Sequence, residues 1–231
     1  MGMRKARESL TPQEAREVAI LDDIAIELVR KLKAPEGKQT RILKDLPFPV
    51  IDIDTGDAKD NSETFRATLE KLFYNRLAQS DWFVHEEIQS WLLDTWTATM
   101  FSKFLDIKLD PVLGVPAAFT TTKLPNKAKL EGLEGLSLKL PSDDYVDDYG
   151  IDYSFITWEK TPVLSIGPFR LVRISCNSSS NINWATARAG SSYYVHLMPD
   201  GADVQVLRPG RIVKEGEQLR VWFGPSYDDE W

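Results

Sequence analysis

Apolar residues near the start of the chain recur at intervals of three and four positions, the spacing of an amphipathic helix. Residues 11–14 read Thr-Pro-Gln-Glu, which combines a capping threonine, a proline at the first helical position and a glutamate three residues after the cap. The run 34–37, Ala-Pro-Glu-Gly, carries residues that end a helix. We therefore predict a first helix between these signals. Its apolar positions are Val18, Leu21, Ala25, Leu28 and Leu32.

Two further helices are predicted before residue 107. One covers about 62–79, and the other begins after Asp81 and continues to about Leu105. The second contains Trp82, Trp91 and Trp96. Aromatic residues at this spacing usually pack in a core, so we expect the helices to bury one face.

The pattern changes after Asp110. Short runs alternate in polarity or are rich in β-branched residues, and glycine, proline, asparagine and aspartate separate them. The predicted strands cover 115–122, 130–140, 153–158, 163–165, 169–175, 193–197, 204–207 and 219–223. No helix of ordinary length fits after 107. We therefore predict an α+β protein with a helical region over 1–106 and an all-β domain over 107–231.

Composition and charge narrow the classes of function. The chain has 28 basic and 35 acidic residues, a formal net charge of −7, so we expect no sequence-blind binding of nucleic acid, which requires a basic surface. With one cysteine the chain cannot form an internal disulfide or a cysteine-rich zinc site, and we predict no bound metal. A single cysteine also fits an intracellular location. No apolar run reaches the ~18 residues of a membrane span, so we expect no membrane partner.

Generic catalytic motifs are weak in this sequence. The two histidines, His85 and His196, fall in a predicted helix and a predicted strand, without the partners that a zinc site or a catalytic triad requires. The glycines of 130–135 lack the spacing of a phosphate-binding loop. A glycosidase-type carboxylate pair remains open, because only geometry identifies such a pair.

Three segments of the β region carry a family resemblance. The first joins 112–115, Val-Leu-Gly-Val, to 124–130, Leu-Pro-Asn-Lys-Ala-Lys-Leu. The second is 166–177, Ile-Gly-Pro-Phe-Arg-Leu-Val-Arg-Ile-Ser-Cys-Asn. The third joins 206–208, Val-Leu-Arg, to 214–224, Lys-Glu-Gly-Glu-Gln-Leu-Arg-Val-Trp-Phe-Gly. In this order they resemble the opening strand, the Asn-His-x-Cys segment and the closing Gly-Glu-Glu-Leu … Tyr-Gly segment of a SET domain, the fold of a family of protein lysine methyltransferases.

The Gly167-Pro168 pair and the helical N-terminal region look most like the branch that methylates lysine twenty of histone four. The resemblance covers about 107–227. It implies an all-β domain with a pseudoknotted C-terminus, which binds S-adenosylmethionine on one side and a lysine in a channel from the other. It also implies a basic peptide such as a histone tail as partner, and a nuclear location.

The resemblance implies a cofactor wall that departs from the family pattern. The family's Asn-His falls on Arg173 and Ile174, so a cation replaces the amide and Ile174 keeps only backbone groups for the cofactor. The family's later asparagine matches Asn177, Asn181 or Asn183. The implied cofactor-binding residues are Gly114, Val115, Arg173, Ile174, Ser175 and Asn181.

The implied catalytic residues also depart from the family. The closing tyrosine falls on Phe223, which keeps the aromatic wall and loses the hydroxyl. Tyr227 could supply a hydroxyl from the adjoining turn, and Tyr153 matches the earlier channel tyrosine. Trp222 and Phe223 are expected to line the lysine channel.

Three functions remain open at this point. The first is a SET-type methyltransferase that uses S-adenosylmethionine. The second is a catalytically degenerate SET-fold pseudoenzyme, which would hold a basic peptide or a chromatin partner near the acidic segment 143–148. The third is an unrelated α+β protein whose β half is a barrel or a sandwich, and whose last strands do not thread under a preceding loop.

Overall fold

The structure is a computed structural model. It describes residues 10–33, 58–79, 84–124, 128–130, 132–139, 154–156, 162–175, 178–182, 184–188, 194–199, 203–204 and 213–221.

The described helices are α1 (Pro12–Leu32), α2 (Ala58–Leu77) and α3 (Glu86–Phe101). The predicted capping box begins α1: the Glu14 amide donates to Thr11 Oγ1 at 3.3 Å, and the Thr11 amide donates to Glu14 Oε2 at 2.7 Å. Helix α3 ends four residues before the predicted Leu105, because a bend at 103–104 leads directly into a strand. None of the described helices combines the length and the apolar character that crossing a membrane requires.

The strands of the described residues lie between Leu105 and Val221. They are β1 (Leu105–Leu109), β2 (Pro116–Thr120), β3 (Ala128–Lys129), β4 (Gly135–Lys139), β5 (Ser154–Ile156), β6 (Pro162–Ile166), β7 (Arg173–Ile174), β8 (Trp184–Arg188), β9 (Tyr194–Pro199), β10 (Asp203–Val204) and β11 (Arg220–Val221).

The largest sheet is antiparallel, with strand order β5-β6-β4-β9-β8. Three two-stranded ladders accompany it: antiparallel β1–β2 and β3–β10, and parallel β7–β11. Within the described ranges the sheets are open and no barrel closes. The α+β class predicted from the sequence is confirmed.

Several details of the strand prediction were wrong. The run 169–175 is not one strand: Gly167, with φ of 86°, and Pro168 begin a 3₁₀ turn over Pro168–Leu171, and the strand covers only Arg173–Ile174. Strand β1 was missed, since its first residue had been assigned to the preceding helix. Strand β8, Trp-Ala-Thr-Ala-Arg, was missed because its small residues give little alternation, and pairing with β9 makes it a strand.

The helices and the sheets share one hydrophobic core. Trp96 of α3 and Leu21 of α1 are fully buried in the same cluster as Leu136 of β4 and Ile166 of β6. A β layer covered by helices on its apolar face is a standard way of burying both. The helical region therefore packs directly against the β region.

A buried carboxylate joins the helices to the 3₁₀ turn before β7. Asp22 of α1 accepts a hydrogen bond from Trp96 Nε1 at 2.7 Å and one from the Gly167 amide at 3.0 Å. Its Oδ2 lies 2.8 Å from Arg170 Nε. Burial raises the pKa of Asp22, and the positive charge of Arg170 opposes that rise. These contacts fix the position at which the chain enters β7.

Candidate functional site

The segments that carry the family resemblance meet at one place in the structure. The hairpin turn 110–115, between β1 and β2, contacts both Arg173 in β7 and Gln218 just before β11. These three parts of the chain are far apart in sequence. Their contact defines a candidate site.

The hairpin turn is built around Asp110. Its backbone amide donates to the Val115 carbonyl at 2.7 Å, and its carbonyl accepts from the Gly114 amide at 2.8 Å. Its Oδ1 accepts from the Val112 amide at 2.8 Å and from the Leu113 amide at 3.0 Å. Aspartate is favoured at the start of such turns because its side chain satisfies the next amides. Gly114 closes the turn with φ of 69°, a conformation that favours glycine.

The other carboxylate oxygen of Asp110 joins the turn to the rest of the site. Oδ2 accepts from Gln218 Nε2 at 2.7 Å and lies 3.4 Å from Arg173 Nη1. The backbone amides of Leu113 and Val112 are the main cause of a lowered pKa of Asp110, and Gln218 and Arg173 add to it. Asp110 is therefore a charged carboxylate with donors at both oxygens.

The last described segment lies between the two arms of the loop 173–182. On one side the Arg173 amide donates to the Leu219 carbonyl at 3.1 Å, and the Ser175 amide donates to the Val221 carbonyl at 2.9 Å. On the other side the amides of Asn181 and Ile182 donate to the Arg220 carbonyl at 2.9 and 3.1 Å.

Both pairings with the C-terminal segment are parallel. The Leu219 amide also donates to the Ala118 carbonyl of β2 at 2.9 Å. The C-terminal segment is thus held by hydrogen bonds from three sides.

Asn181 belongs to this arrangement. It is fully buried, its Oδ1 accepts from the Arg220 amide at 2.7 Å, and its Nδ2 donates to the Gln218 carbonyl at 2.9 Å and to Glu217 Oε1 at 3.2 Å. The resemblance implies that Asn181 binds the cofactor. In this structure its amide group holds the backbone of the C-terminal segment.

The outer side of the site is apolar with a cation beside it. Val115 and Ile174 are 46% and 39% exposed, and the Arg173 side chain is 43% exposed. A Cβ built on Gly114 would meet no atom within 4 Å, so the turn is open there. Both apolar side chains and the guanidinium are therefore accessible to a ligand.

The structure describes six of the predicted site residues. Gly114 and Val115 lie in the hairpin turn, Arg173, Ile174 and Ser175 lie in and after β7, and Asn181 is on the far arm of the loop. The predicted Tyr153, Trp222, Phe223 and Tyr227, and the acidic segment 143–148, lie outside the described residues. The described part of the predicted site is therefore the set of residues that the resemblance assigns to the cofactor.

Sequence reasoning missed three polar residues of this site: Asp110, Gln218 and Arg220. An aspartate before a proline is a turn signal, so the role of Asp110 in its own hairpin could have been predicted. Its contact with Gln218, 108 residues later, has no local signal.

No protein family model matches this chain, and no curated protein sequence matches it. Among solved structures, 61 chains match. One is the crystal structure of a "putative histone methyltransferase" from Plasmodium falciparum, which has 12% sequence identity to this chain. The match covers 55% of this chain and 98% of that one, with a TM-score of 0.36.

Proposed function

We propose that the chain is a SET-type protein lysine methyltransferase that uses S-adenosylmethionine. The observation that carries this proposal is the meeting of the three resembling segments around Asp110. The resemblance implies that residues of all three segments line one site, so this function requires the segments to lie close together. The 2.7 Å bond from Gln218 to Asp110 and the contact of Arg173 with the same carboxylate bring them together here.

The path of the C-terminal segment supports the same proposal. A pseudoknotted C-terminus requires the last strand to pass beneath a preceding loop. Residues 219–221 receive hydrogen bonds from 173–175 on one side and from 181–182 on the other. A separate barrel or sandwich would pair its last strand with neighbouring strand edges and would not require both arms of one loop.

The described residues fit the proposed cofactor. Val115 and Ile174 offer exposed apolar surface for an adenosyl group, and the open backbone at Gly114 permits close approach. The Arg173 guanidinium is suited to a carboxylate, since its planar donors match the geometry of that anion. When bound, S-adenosylmethionine supplies an electrophilic methyl group on a sulfonium. The chain's own task is to hold that group in line with a lysine amine.

The substrate side of the proposal rests on residues outside the described ranges. Tyr153 and Tyr227 are proposed to orient the lysine amine after it loses its proton, and Trp222 and Phe223 are proposed to line its channel. Phe223 carries no hydroxyl, so Tyr227 is proposed as the hydroxyl donor. Removing one preorganised donor from a reacting centre lowers the rate by about 10²–10³.

The proposal is tested by transfer of a labelled methyl group from S-adenosylmethionine to nucleosomes and to histone-tail peptides. We expect transfer that is lost in a Tyr227→Phe variant. A Phe223→Tyr variant, which restores the family residue, should increase the rate. Calorimetric titration of S-adenosylmethionine accompanies the assay. Absence of both transfer and binding at millimolar cofactor would refute the proposal.

A second candidate function is a SET-fold module that binds a basic peptide without catalysis. The observation that favours it is Arg173, which replaces the family's amide and contacts Asp110. This candidate predicts that histone-tail peptides bind with an affinity that S-adenosylmethionine does not change. Turnover, or peptide binding that depends on the cofactor, would exclude it.

A further inference from the structure

Two arginines lie side by side at the candidate site. In the parallel ladder of β7 and β11, the register partner of Arg173 is Arg220. Side chains alternate between the faces of a strand, and register partners project to the same face of the ladder. The stems of both arginines therefore leave the ladder on one face. Like charges placed directly opposite each other are destabilising unless an opposite charge separates them.

The two arginines have N–H donors that their polar contacts do not use. Arg220 Nε is buried and has no hydrogen-bond partner. Within the described residues, the side-chain contact of Arg173 is the 3.4 Å pair with Asp110. A guanidinium has five N–H donors, so most of the donor capacity of Arg173 is not used by that pair. Buried polar atoms without a partner are rare in proteins, and a water or ion bound at the atom is one explanation for them.

The nearby carboxylates do not accept hydrogen bonds from these remaining donors. Asp110 already accepts from two backbone amides and from Gln218, so its oxygens are largely taken. Glu217 is directed elsewhere: Oε1 accepts from Asn181 Nδ2 at 3.2 Å, and Oε2 accepts from the Lys214 amide at 3.0 Å. Neither carboxylate therefore satisfies Arg220 Nε, and Asp110 engages one nitrogen of Arg173.

We propose that Arg173 and Arg220 together bind an oxyanion, a carboxylate or a phosphate group, on this face of the β7–β11 ladder. Asp110 is a positioning residue in this site, because its Oδ2 lies 3.4 Å from Arg173 Nη1. The inference does not require methyl transfer. The anion has two possible sources: the carboxylate of an S-adenosylmethionine-like cofactor, or free inorganic phosphate.

The test is calorimetric titration of three probes into the full chain: S-adenosylhomocysteine, methylthioadenosine and inorganic phosphate. Methylthioadenosine carries the adenosyl group without the carboxylate. The variants are Arg173→Gln and Arg220→Gln, and Lys123→Gln removes an exposed cation elsewhere as the matched control. We expect either arginine variant to weaken binding of the anionic probe at least tenfold, and the control to leave it unchanged.

The probes separate the two sources of the anion. If S-adenosylhomocysteine binds at least tenfold more tightly than methylthioadenosine, and the arginine variants remove that difference, the cofactor carboxylate is the anion. If phosphate binds in the same arginine-dependent way and S-adenosylhomocysteine does not bind, the oxyanion site stands and the proposed methyltransferase function fails.

Two outcomes overturn the inference. One is equal binding of S-adenosylhomocysteine and methylthioadenosine with no effect of the arginine variants, which leaves the proposed function standing. The other is no arginine-dependent binding of any probe. A second measurement guards against misfolded variants: phosphate, compared with chloride at equal ionic strength, should raise the Tm of the wild type and should not raise it in either arginine variant.

Discussion

Asp110 and Gln218 lie 108 residues apart in the chain and share a 2.7 Å hydrogen bond from Gln218 Nε2 to Asp110 Oδ2. Gln218 is 9% exposed and Asp110 is 3% exposed. The bond joins the first hairpin of the β region to the segment just before its last described strand. It therefore closes the candidate site across almost the whole β region.

The Gln218 side chain should contribute measurably to stability. Replacing it with alanine removes a donor from a buried charged acceptor, and losses of this kind cost about 1–3 kcal/mol. We expect Gln218→Ala to lower the free energy of unfolding in urea by that amount. The matched control is Gln79→Ala, at an exposed position after α2, which should change it by less than about 0.5 kcal/mol. Equal effects at the two positions would contradict a specific role of Gln218.

Asp110 should make the stability dependent on acid. Its folded pKa is lowered by backbone amides, so its contribution is present above its ordinary pKa of 3.8 and is lost as pH falls through the folded value. Asp110→Asn keeps an acceptor for the turn and removes the charge. We expect the stability difference between wild type and Asp110→Asn to be constant above about pH 5 and to shrink below pH 3.8. A difference that grows on acidification would refute the assignment.

Lys33, at the C-terminal end of α1, should make the stability depend on pH in the alkaline range. Its ammonium donates to the carbonyls of Ser102 and Leu105, and burial lowers its pKa from 10.5 to about 8. A lysine whose folded pKa is lowered binds fewer protons when folded, so stability rises with pH between those two values. Between pH 7.5 and 10.5 the free energy of unfolding of the wild type should rise relative to that of Lys33→Met. A flat difference would disprove the shift.

The two carboxylates beside Arg170 should contribute unequally to the free energy of unfolding. Arg170 pairs with Asp22, which is fully buried, and with Asp23, whose side chain is 48% exposed. Breaking a buried pair costs about 3–5 kcal/mol, and an exposed pair contributes about 0–1 kcal/mol. We therefore expect a large loss of unfolding free energy for Asp22→Asn, which leaves the buried Arg170 without its buried charge partner, and a small one for Asp23→Asn. Thermal and urea unfolding compare the two variants, and similar losses would argue against the buried network.

Gly167 and Gly216 form a matched pair for a steric test. Both have positive φ, 86° and 73°, so alanine is strained at either position. A Cβ at Gly167 would lie 2.5 Å from the Trp91 ring, whereas a Cβ at Gly216 would meet nothing within 4 Å. Gly167→Ala should therefore destabilise the protein by about 1–3 kcal/mol more than Gly216→Ala. Equal melting temperatures would show that the ring moves aside freely.

Local patterns in the sequence predicted the local parts of the fold. The capping box at Thr11 and Glu14 was confirmed because its atoms lie within one helical turn. The positions of most strands followed from alternation and from the turn residues between them. The errors at β8 and at 168–171 arose where local propensity was weak or where Gly167 and Pro168 imposed a turn.

The sequence by itself determined the α+β class, the capped first helix and the three segments that resemble a SET domain, because each depends on residues close together in the chain. Only the tertiary structure decided that Asp110 contacts Gln218 and that Arg173 lies beside Arg220. Which distant segments pair, and which side chains meet across them, depends on packing that no local pattern in the sequence encodes. The proposed oxyanion site rests on those nonlocal contacts.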